Sequence, residues 1–390
     1  MRERPVSGQA AEELLGAGVA VTVGVDAHKR VHAAVALDAA GRELGRWEGP
    51  NSRSGWEELA AWASRWGPGA VRGWGIEGAW GLGRGLAQHL VAVGETVYEV
   101  NPRWTAAERR TARRPGKSDR LDALAVARLV WRESAERTLP AVGREDETAV
   151  LDLLTEERES ALAEATRLRN RLHRLLGDLD PEYRAVLPGR LGLRSKAGLA
   201  AAERYEALPA ATPLDHERAA AVRRLARRLR LALDQAEELA AQIRERAAVP
   251  CAALTQLCGV SLLTAAALAG ILGPGRRFAT EAQLAAYAGA APLEASSAGV
   301  SRHRLNRGGN RKLNAILYRI ALTQSRCLPE ARAYLARRTA QGRSRREALR
   351  ALKRYLVRAV WRLWRHCPLS HCAPTAAPLN TNAGPLSTAA

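Results

Sequence analysis

Two mainly apolar series with coiled-coil spacing constrain the fold of this 390-residue chain more than any other feature. Each series advances in steps of three and four residues without a break, which places its members along one side of a long helix. The first series comprises Leu151, Leu154, Arg158, Ala161, Ala165, Leu168, Leu172, Leu175 and Leu179, and the second Val222, Leu225, Leu229, Ala232, Ala236, Leu239 and Ile243. The pattern predicts two long helices, which pair either as an antiparallel hairpin or as a coiled coil between chains.

The N-terminal part of the chain alternates strand and helix patterns. Strands are predicted at 21–26, 31–38, 43–49, 71–78 and 95–100, and helices at 56–66, 83–94 and 118–133. A meander of three strands followed by strand–helix–strand–helix order predicts a mixed α/β sheet with helices packed on it.

The C-terminal part is helical and strongly basic. Its last helix, predicted at 344–366, places Leu349, Leu352, Leu356, Val360 and Leu363 on one face, and its basic residues, among them Lys353, lie around the other faces. The chain carries a net charge of +20, and 17 of those charges lie in residues 301–366, which hold 19 Lys and Arg but only two acidic residues. This asymmetry predicts a docking surface for a polyanion, either nucleic acid or an anionic membrane surface. The longest uncharged apolar runs fall short of the roughly 20 residues of a spanning helix. Five cysteines, an odd number, do not indicate a disulfide framework. A soluble cytoplasmic protein is the expectation.

These patterns divide the chain into five parts. We expect a leader at 1–19, a sheet-containing domain at 20–143 and a helical coiled-coil segment at 144–249. A basic helical domain at 250–366 and a disordered tail at 367–390, rich in Pro, Ala, Ser and Thr, complete the organisation.

Four carboxylates are the first candidates for chemistry. Asp26 and Glu77 end predicted strands, whereas Asp119 and Asp122 lie three residues apart on one helix face. Converging carboxylates repel one another unless cations neutralise them, and hard oxygen ligands suit Mg²⁺ or Mn²⁺. Two such ions would clamp the attacking and leaving oxygens of a phosphoryl transfer. The alternative is that each acid is a helix cap or a solvated surface residue.

The sequence around these acids resembles a known family. The segments GVDAHK (24–29), GIEGAWG (75–81) and NPRWTAAERRTARRPGKSDRLDALAVARL (101–129) resemble the RuvC-like N-terminal domain of the IS110 (IS1111) family of insertion-sequence transposases, the DEDD transposases. The resemblance implies an RNase H-like fold on which Asp26, Glu77, Asp119 and Asp122 bind Mg²⁺.

A second stretch resembles the C-terminal domain of the same family. Residues 254–273 predict a helix–tight turn–helix with Gly259 at the turn, and with 277–292 and 295–314 they are similar to the family's transposase domain, which has a helix-hairpin-helix-like motif. The resemblance implies an essential serine in the loop ASSAGVSRHR; Ser297 fits best, and Ser296 stays open. A serine hydroxyl attacks phosphate only when its proton is removed and the phosphate charge is offset, which neighbouring arginines can do.

The resemblance also implies an activity and partners. They are a DNA recombinase that cleaves, exchanges and rejoins strands of the element ends and target, a structured guide (bridge) RNA, and a dimer or tetramer whose subunits share active sites. Backbone-neutralising residues would be Arg103, Arg109, Arg110, Arg113, Arg114, Lys117, Arg302, Arg304, Arg307, Arg311 and Lys312. Two alternatives remain: a Mg²⁺-dependent Holliday-junction nuclease without serine catalysis, and a non-catalytic nucleic-acid scaffold.

Overall fold

The computed structural model describes residues 21–66, 72–111, 119–133, 139–186, 192–207, 211–273, 277–294, 303–304, 306, 308–367 and 369. They fall into two compact units. The first unit contains residues 1–146, 273–314 and 368–390, and the second contains 147–272 and 315–367. No helix within the described ranges is long and apolar enough to cross a membrane.

A five-stranded mixed sheet forms the first unit and confirms the α/β prediction. Its strands are β1 (Val21–Ala27), β2 (Val31–Asp38), β3 (Glu43–Pro50), β4 (Arg72–Glu77) and β5 (Thr96–Val100), in the order β3-β2-β1-β4-β5. Strand β2 runs antiparallel to β1 and β3, whereas β1, β4 and β5 run parallel to one another. Both central strands β1 and β4 therefore end at the same edge of the sheet.

Helices cover both faces of this sheet. The helices are α1 (Arg53–Ser64), α2 (Arg84–Ala92), α3 (Pro102–Thr111) and α4 (Asp119–Glu133). Helices α1 and α2 bury Leu59, Leu86 and Leu90 in the core formed with β1 and β4. Helix α4 lies against β1 and β2 and buries Ala123 and Ala127 there.

The approach of α4 to β1 depends on one glycine. A Cβ atom on Gly24 would lie 2.1 Å from the backbone nitrogen of Ala127 and 2.4 Å from the carbonyl oxygen of Ala123. Such distances are far below van der Waals contact, so only glycine allows this approach. The first turn of α4 is thereby brought close to the end of β1.

The C-terminal part of the first unit is short and irregular. It contains α10 (Glu281–Tyr287) and an antiparallel pair of two-residue strands, β6 (Leu293–Glu294) and β7 (His303–Arg304). Thr280 caps α10 with a capping box, its side chain accepting from the backbone N–H of Gln283.

The second unit is built on the two long helices, which pair within the chain. Helices α5 (Glu147–Leu179) and α8 (Pro213–Ala247) are 33 and 35 residues long. Arg246 pairs with Glu147, and Arg228 pairs with Glu164, so the two helices run antiparallel. The structure therefore selects the intrachain hairpin from the two arrangements that the heptads allowed. Helices α6 (Tyr183–Val186) and α7 (Lys196–Glu203) and the 3₁₀ turn Gly192–Arg194 lie between them in sequence.

The buried seam of this hairpin departs from the strict heptads near its ends. Leu176 and Ala240 are fully buried, whereas the heptad positions Leu175 and Leu239 are only half-buried. A helix with 3.6 residues per turn drifts by about 20° per heptad, so after several heptads the buried face passes to the next residue.

The remaining α-helices lie in the C-terminal part of the chain. They are α9 (Leu262–Leu272), α11 (Arg311–Cys327), α12 (Pro329–Ala340) and α13 (Arg345–Arg365), preceded by the 3₁₀ helix Ala252–Gln256. Gly259 forms the turn before α9 with φ +86°, where a Cβ would meet the Thr323 side chain at 3.0 Å. This geometry fits the sequence-based turn at Gly259.

Helix α13 buries most of its predicted apolar face. Leu349, Leu352, Leu356 and Val360 are buried, and Trp364 takes the place expected for Leu363. Lys353, one of the basic residues predicted to lie off the apolar face, is nevertheless buried: it is only 6% exposed, and its Nζ lies 6.0 Å from the centre of the Tyr318 ring. Burial lowers the pKa of this ammonium group. Of the tail, the structure describes only residues 367 and 369.

Candidate active site

Strand register brings two of the four acids together. Asp26 and Glu77 occupy the ends of the parallel strands β1 and β4, and they are direct neighbours in the register of that pair. Asp26 is 7% exposed, and Glu77 is half-buried. Buried carboxylates at a sheet edge need positive charge or hydrogen bonds nearby.

The first turn of α4 supplies the other two acids. Asp119 is the first residue of that helix, and Asp122 is buried one turn later. His28, just after β1, connects the strand with the helix: its Nε2 lies 3.1 Å from Asp26 Oδ2 and 3.4 Å from Asp119 Oδ1.

The electrostatics of Asp26 reflect this crowding. Burial raises the pKa of the Asp26 carboxyl, the nearby His28 lowers it, and the charges of Asp122 and Asp119 raise it further. The net effect is a raised pKa, so the ionised form is disfavoured without a cation. Three of the four acids are therefore within electrostatic reach of one another.

A buried threonine lies beside the Glu77 carboxylate. The hydroxyl of Thr105, a fully buried residue of α3, lies 3.2 Å from Glu77 Oε2 and 3.0 Å from the carbonyl oxygen of Pro102. The single hydroxyl proton of Thr105 is shared between these two acceptors, and the hydroxyl lies beside the Glu77 carboxylate at the end of β4.

A divalent cation fits this donor set. One ligand atom each from Asp26, His28 and Asp119 lie within 4.8 Å of one another. Asp26 Oδ2 and His28 Nε2 are buried and lie 3.1 Å apart, and neither makes a hydrogen bond to another residue in the part of the chain that the structure describes. Carboxylate oxygens suit Mg²⁺ and Mn²⁺, and an imidazole nitrogen favours Mn²⁺ over Mg²⁺.

Comparisons with known proteins match this chain in two regions. Residues 23–181 match the DEDD transposase family of IS110, described as a transposase. Residues 251–336 match the family described as "Transposase IS116/IS110/IS902 family". A relative from Streptomyces coelicolor, "Insertion element IS110 uncharacterized 43.6 kDa protein", is 30% identical over 289 residues, which cover 64% of this chain and 71% of the relative.

The chain belongs to the IS110 transposase family.

Membership confirms the resemblance seen in the sequence and makes the protein a DNA transposase. The first match contains all four acids together with β1 from residue 23 onward, β2–β5, α3 and α4. The second contains Ser296 and Ser297. A transposase must bind DNA, which is a polyanion, and the positive charge of the C-terminal region agrees with this.

The described residues contain six of the eleven predicted nucleic-acid contacts and neither serine. Ser296 and Ser297 lie outside the described residues, as do Arg113, Arg114, Lys117, Arg302 and Arg307. For Arg103, Arg109 and Arg110 of α3 and Arg304 of β7, only the backbone is described. Arg311 and Lys312 begin α11 with exposed side chains, where they remain predicted phosphate contacts.

Sequence reasoning missed His28 and Thr105 in this transposase. His28 had a signal, because it stands two residues after Asp26 within GVDAHK, and alternate residues of an extended chain face the same side. The Asn51 side chain holds His28 in place by donating to its carbonyl oxygen at 3.2 Å. Thr105 had no comparable signal, since its role depends on α3 packing beside β4.

Asp26→Asn is expected to raise the melting temperature of the metal-free transposase at neutral pH. The amide removes a buried charge that faces Asp119 and Asp122, and about 1 kcal/mol of stability corresponds to about 2–4 °C for a unit of this size. Because the folded-state pKa of Asp26 is raised, the gain should shrink as the pH falls through that pKa. Differential scanning fluorimetry in EDTA measures the shift; a melting temperature below that of the wild type would contradict the prediction.

Proposed function

We propose that this transposase cleaves, exchanges and rejoins DNA strands through a serine nucleophile, Ser297 or its neighbour Ser296, assisted by a divalent-cation site of the four acids. The observation that carries the proposal is the junction of Asp26, His28 and Asp119, whose ligand atoms lie within 4.8 Å of one another. The single imidazole of His28 can carry at most one positive charge, so it cannot neutralise both carboxylates, whereas a divalent cation can.

The fold supports the same reading. A meander of β1–β3 followed by parallel β4 and β5, with acids at the ends of β1 and β4 and on α4, is compatible with an RNase H-like, RuvC-like domain. The proposed domain boundaries remain 20–143 for this domain, 144–249 for the helical segment and 250–366 for the basic transposase domain.

The proposed chemistry balances as a transesterification. The serine Oγ forms a bond to the scissile phosphorus while the bond from phosphorus to the leaving nucleotide oxygen breaks. The serine proton passes to one of the four carboxylates, and the leaving oxygen takes up a proton. Reversal of these steps with an exchanged strand releases the serine and restores a phosphodiester, so no hydrolysis or external energy source is required.

The cation site has a defined composition in this proposal. Asp26, Glu77, Asp119 and Asp122 hold Mg²⁺ or Mn²⁺, and His28 contributes a nitrogen. A bound ion would orient the scissile phosphate and offset its charge. Thr105 keeps Glu77 directed at the site.

Nucleic-acid partners follow from charge and family. We propose that the element ends and the target DNA bind the basic residues of α3, the 302–312 segment and α13, whose Arg345, Arg346, Arg350 and Arg362 are exposed. Arginine binds the sugar–phosphate backbone irrespective of base sequence, so a structured bridge RNA would supply target specificity by base pairing. Assembly as a dimer or tetramer is part of the same proposal.

The test of this function is capture of the covalent intermediate. The transposase is incubated with Mg²⁺, the transcript of the element's non-coding flank and a nicked donor-end substrate that loses the cleaved fragment by diffusion. An adduct that survives denaturation, with phosphate mapped by mass spectrometry to Ser296 or Ser297, supports the proposal. Cleavage without an adduct identifies a water-dependent nuclease of the Holliday-junction type, and the absence of cleavage a binding scaffold.

His28 is expected to ligate the metal directly. In the Mn²⁺-loaded transposase, electron spin-echo envelope modulation should show coupling to the imidazole ¹⁴N, and His28→Asn should abolish it and weaken Mn²⁺ binding by at least about tenfold. His89→Asn on α2 is the matched control and should retain the signal. A wild-type spectrum without nitrogen coupling would place His28 outside the first coordination sphere.

A further inference from the structure

Arg277 is buried where the C-terminal part of the first unit meets the sheet. Its side chain is 6% exposed, and its Nη2 donates to Glu99 Oε2 at 2.6 Å and to the Tyr287 hydroxyl at 3.2 Å. The guanidinium carbon lies 4.8 Å from the ring centre of Tyr287, 5.2 Å from that of Phe278 and 5.4 Å from that of Trp80. A guanidinium so enclosed is held by one carboxylate and three aromatic rings.

The partners of Arg277 flank one of the catalytic acids. Glu99 lies on β5 directly opposite Ile76 of β4, the residue before Glu77. Trp80 lies in the turn that begins just after Glu77, where the backbone N–H of Gly81 bonds to the carbonyl oxygen of Gly78 at 2.8 Å. Arg277 therefore contacts the sheet on both sides of the Glu77 position.

Hydrogen bonds connect Arg277 with both segments that flank the two serines in the sequence, 277–294 and 308–314. Tyr287 precedes the two serines, and its hydroxyl accepts from the Asn310 side chain at 2.9 Å, while the Asn310 N–H donates to the Tyr287 carbonyl oxygen at 2.6 Å. The Asn314 side chain donates to the Ala288 carbonyl oxygen at 2.7 Å. A Cβ on Gly309 would lie 2.2 Å from the Gly289 nitrogen, so these backbones are in direct contact.

The short strands β6 and β7 lie on either side of the two serines in the sequence and pair with each other. Leu293 and Glu294 pair with Arg304 and His303, and residues 295–302, which include both serines, connect the two strands. The segments that lead to β6 and away from β7 are thus linked through Tyr287 and Asn310 to the guanidinium that contacts the sheet beside Glu77.

We propose that Arg277 is a positioning residue that fixes the serine-bearing connection relative to the carboxylates; this inference rests on the proposed function. An apolar pair would hold the same two segments together without defining their register, whereas the planar guanidinium fixes both direction and distance to Glu99. Arg277 acts through Glu99, Tyr287 and Asn310 and touches no reacting atom.

The test compares Arg277→Met with a matched control. Arg72→Met removes another largely buried arginine–glutamate pair in the same sheet, Arg72 with Glu95, which has no hydrogen bond or ion pair to the C-terminal segment among the residues described. Adduct formation is measured in single turnover at saturating DNA, and DNA affinity separately. A misplacement of about 1 Å costs about 100-fold in rate, so Arg277→Met should slow adduct formation by about that factor with unaltered affinity. Arg72→Met should stay near the wild-type rate.

Hydrogen exchange and a double variant separate positioning from folding. Arg277→Met should speed amide exchange in 277–294 and 308–314 while leaving β1 and β4 protected. Arg277→Met with Glu99→Met removes both buried charges, so it should regain thermal stability but not the rate.

Each outcome decides the inference. A wild-type rate in Arg277→Met or in the double variant overturns it alone, provided that the wild type forms its serine adduct. A wild type that forms no serine adduct overturns the proposed function and the role of Arg277 together.

Discussion

Replacing both loop serines, Ser296→Ala with Ser297→Ala, is expected to reduce covalent strand cleavage by at least about 10³-fold, as loss of a catalytic nucleophile does in other enzymes. Without the hydroxyl oxygen no phosphoserine bond can form, whereas the charges that bind DNA are unchanged. Ser297→Ala alone should give the same loss, and Ser296→Ala alone a small one. The adduct assay measures the rate, and fluorescence anisotropy measures DNA affinity.

Ser261→Ala is the matched control for this prediction. Ser261 lies in the same family match, and its side chain accepts from the backbone N–H of Thr264 in the first turn of α9. Its loss should cost about 1 kcal/mol of stability through a weaker helix cap and leave cleavage intact. Full cleavage by the double serine variant would exclude the serine mechanism and leave the water-dependent nuclease as the explanation.

The second large effect is expected from Asp119→Asn. The substitution keeps the size of the side chain but removes the charge that lies 3.4 Å from His28, and with it a proposed metal ligand. Bound cations supply several kcal/mol of charge stabilisation in phosphoryl transfer, and each 1.36 kcal/mol is a factor of ten, so cleavage should fall by at least about 10³-fold. DNA affinity should be retained, and EDTA should produce the same loss in the wild type.

Asp38→Asn provides the control for charge removal on the same sheet. Asp38 ends β2, accepts from the backbone N–H groups of Ala40 and Arg42, and takes no part in the site. This variant should cleave at the wild-type rate. Activity that persists in EDTA, or in Asp119→Asn, would remove the metal from the proposed mechanism.

The sequence predicted the sheet and the position of its acids because both depend on local patterns. Asp26 and Glu77 end strands with continuous apolar runs, and parallel strands that neighbour each other end at the same edge. The register that makes them direct neighbours could not be predicted, since it depends on how β4 pairs with β1. His28 illustrates the limit: its place in the chain was visible, but its approach to Asp119 required α4 to pack against Gly24.

Contacts between distant segments had no local signal. Arg277 and Glu99 are 178 residues apart, and neither stands in a repeating pattern that would pair them. The burial of Lys353 likewise had no signal in the sequence, because helical periodicity does not distinguish a lysine that packs beside Tyr318 from one that faces water. The heptads predicted both long helices, yet their pairing within one chain depended on the connection folding back.

The antiparallel hairpin of α5 and α8 brings two distant points of the chain together. Glu147 at the beginning of α5 and Arg246 at the end of α8 are joined by an ion pair although 99 residues separate them. Residues 147–247 thus form an arm whose first and last turns lie side by side. Adding or removing equal numbers of turns in both helices would change the length of this arm and leave the ion pair at its base in place.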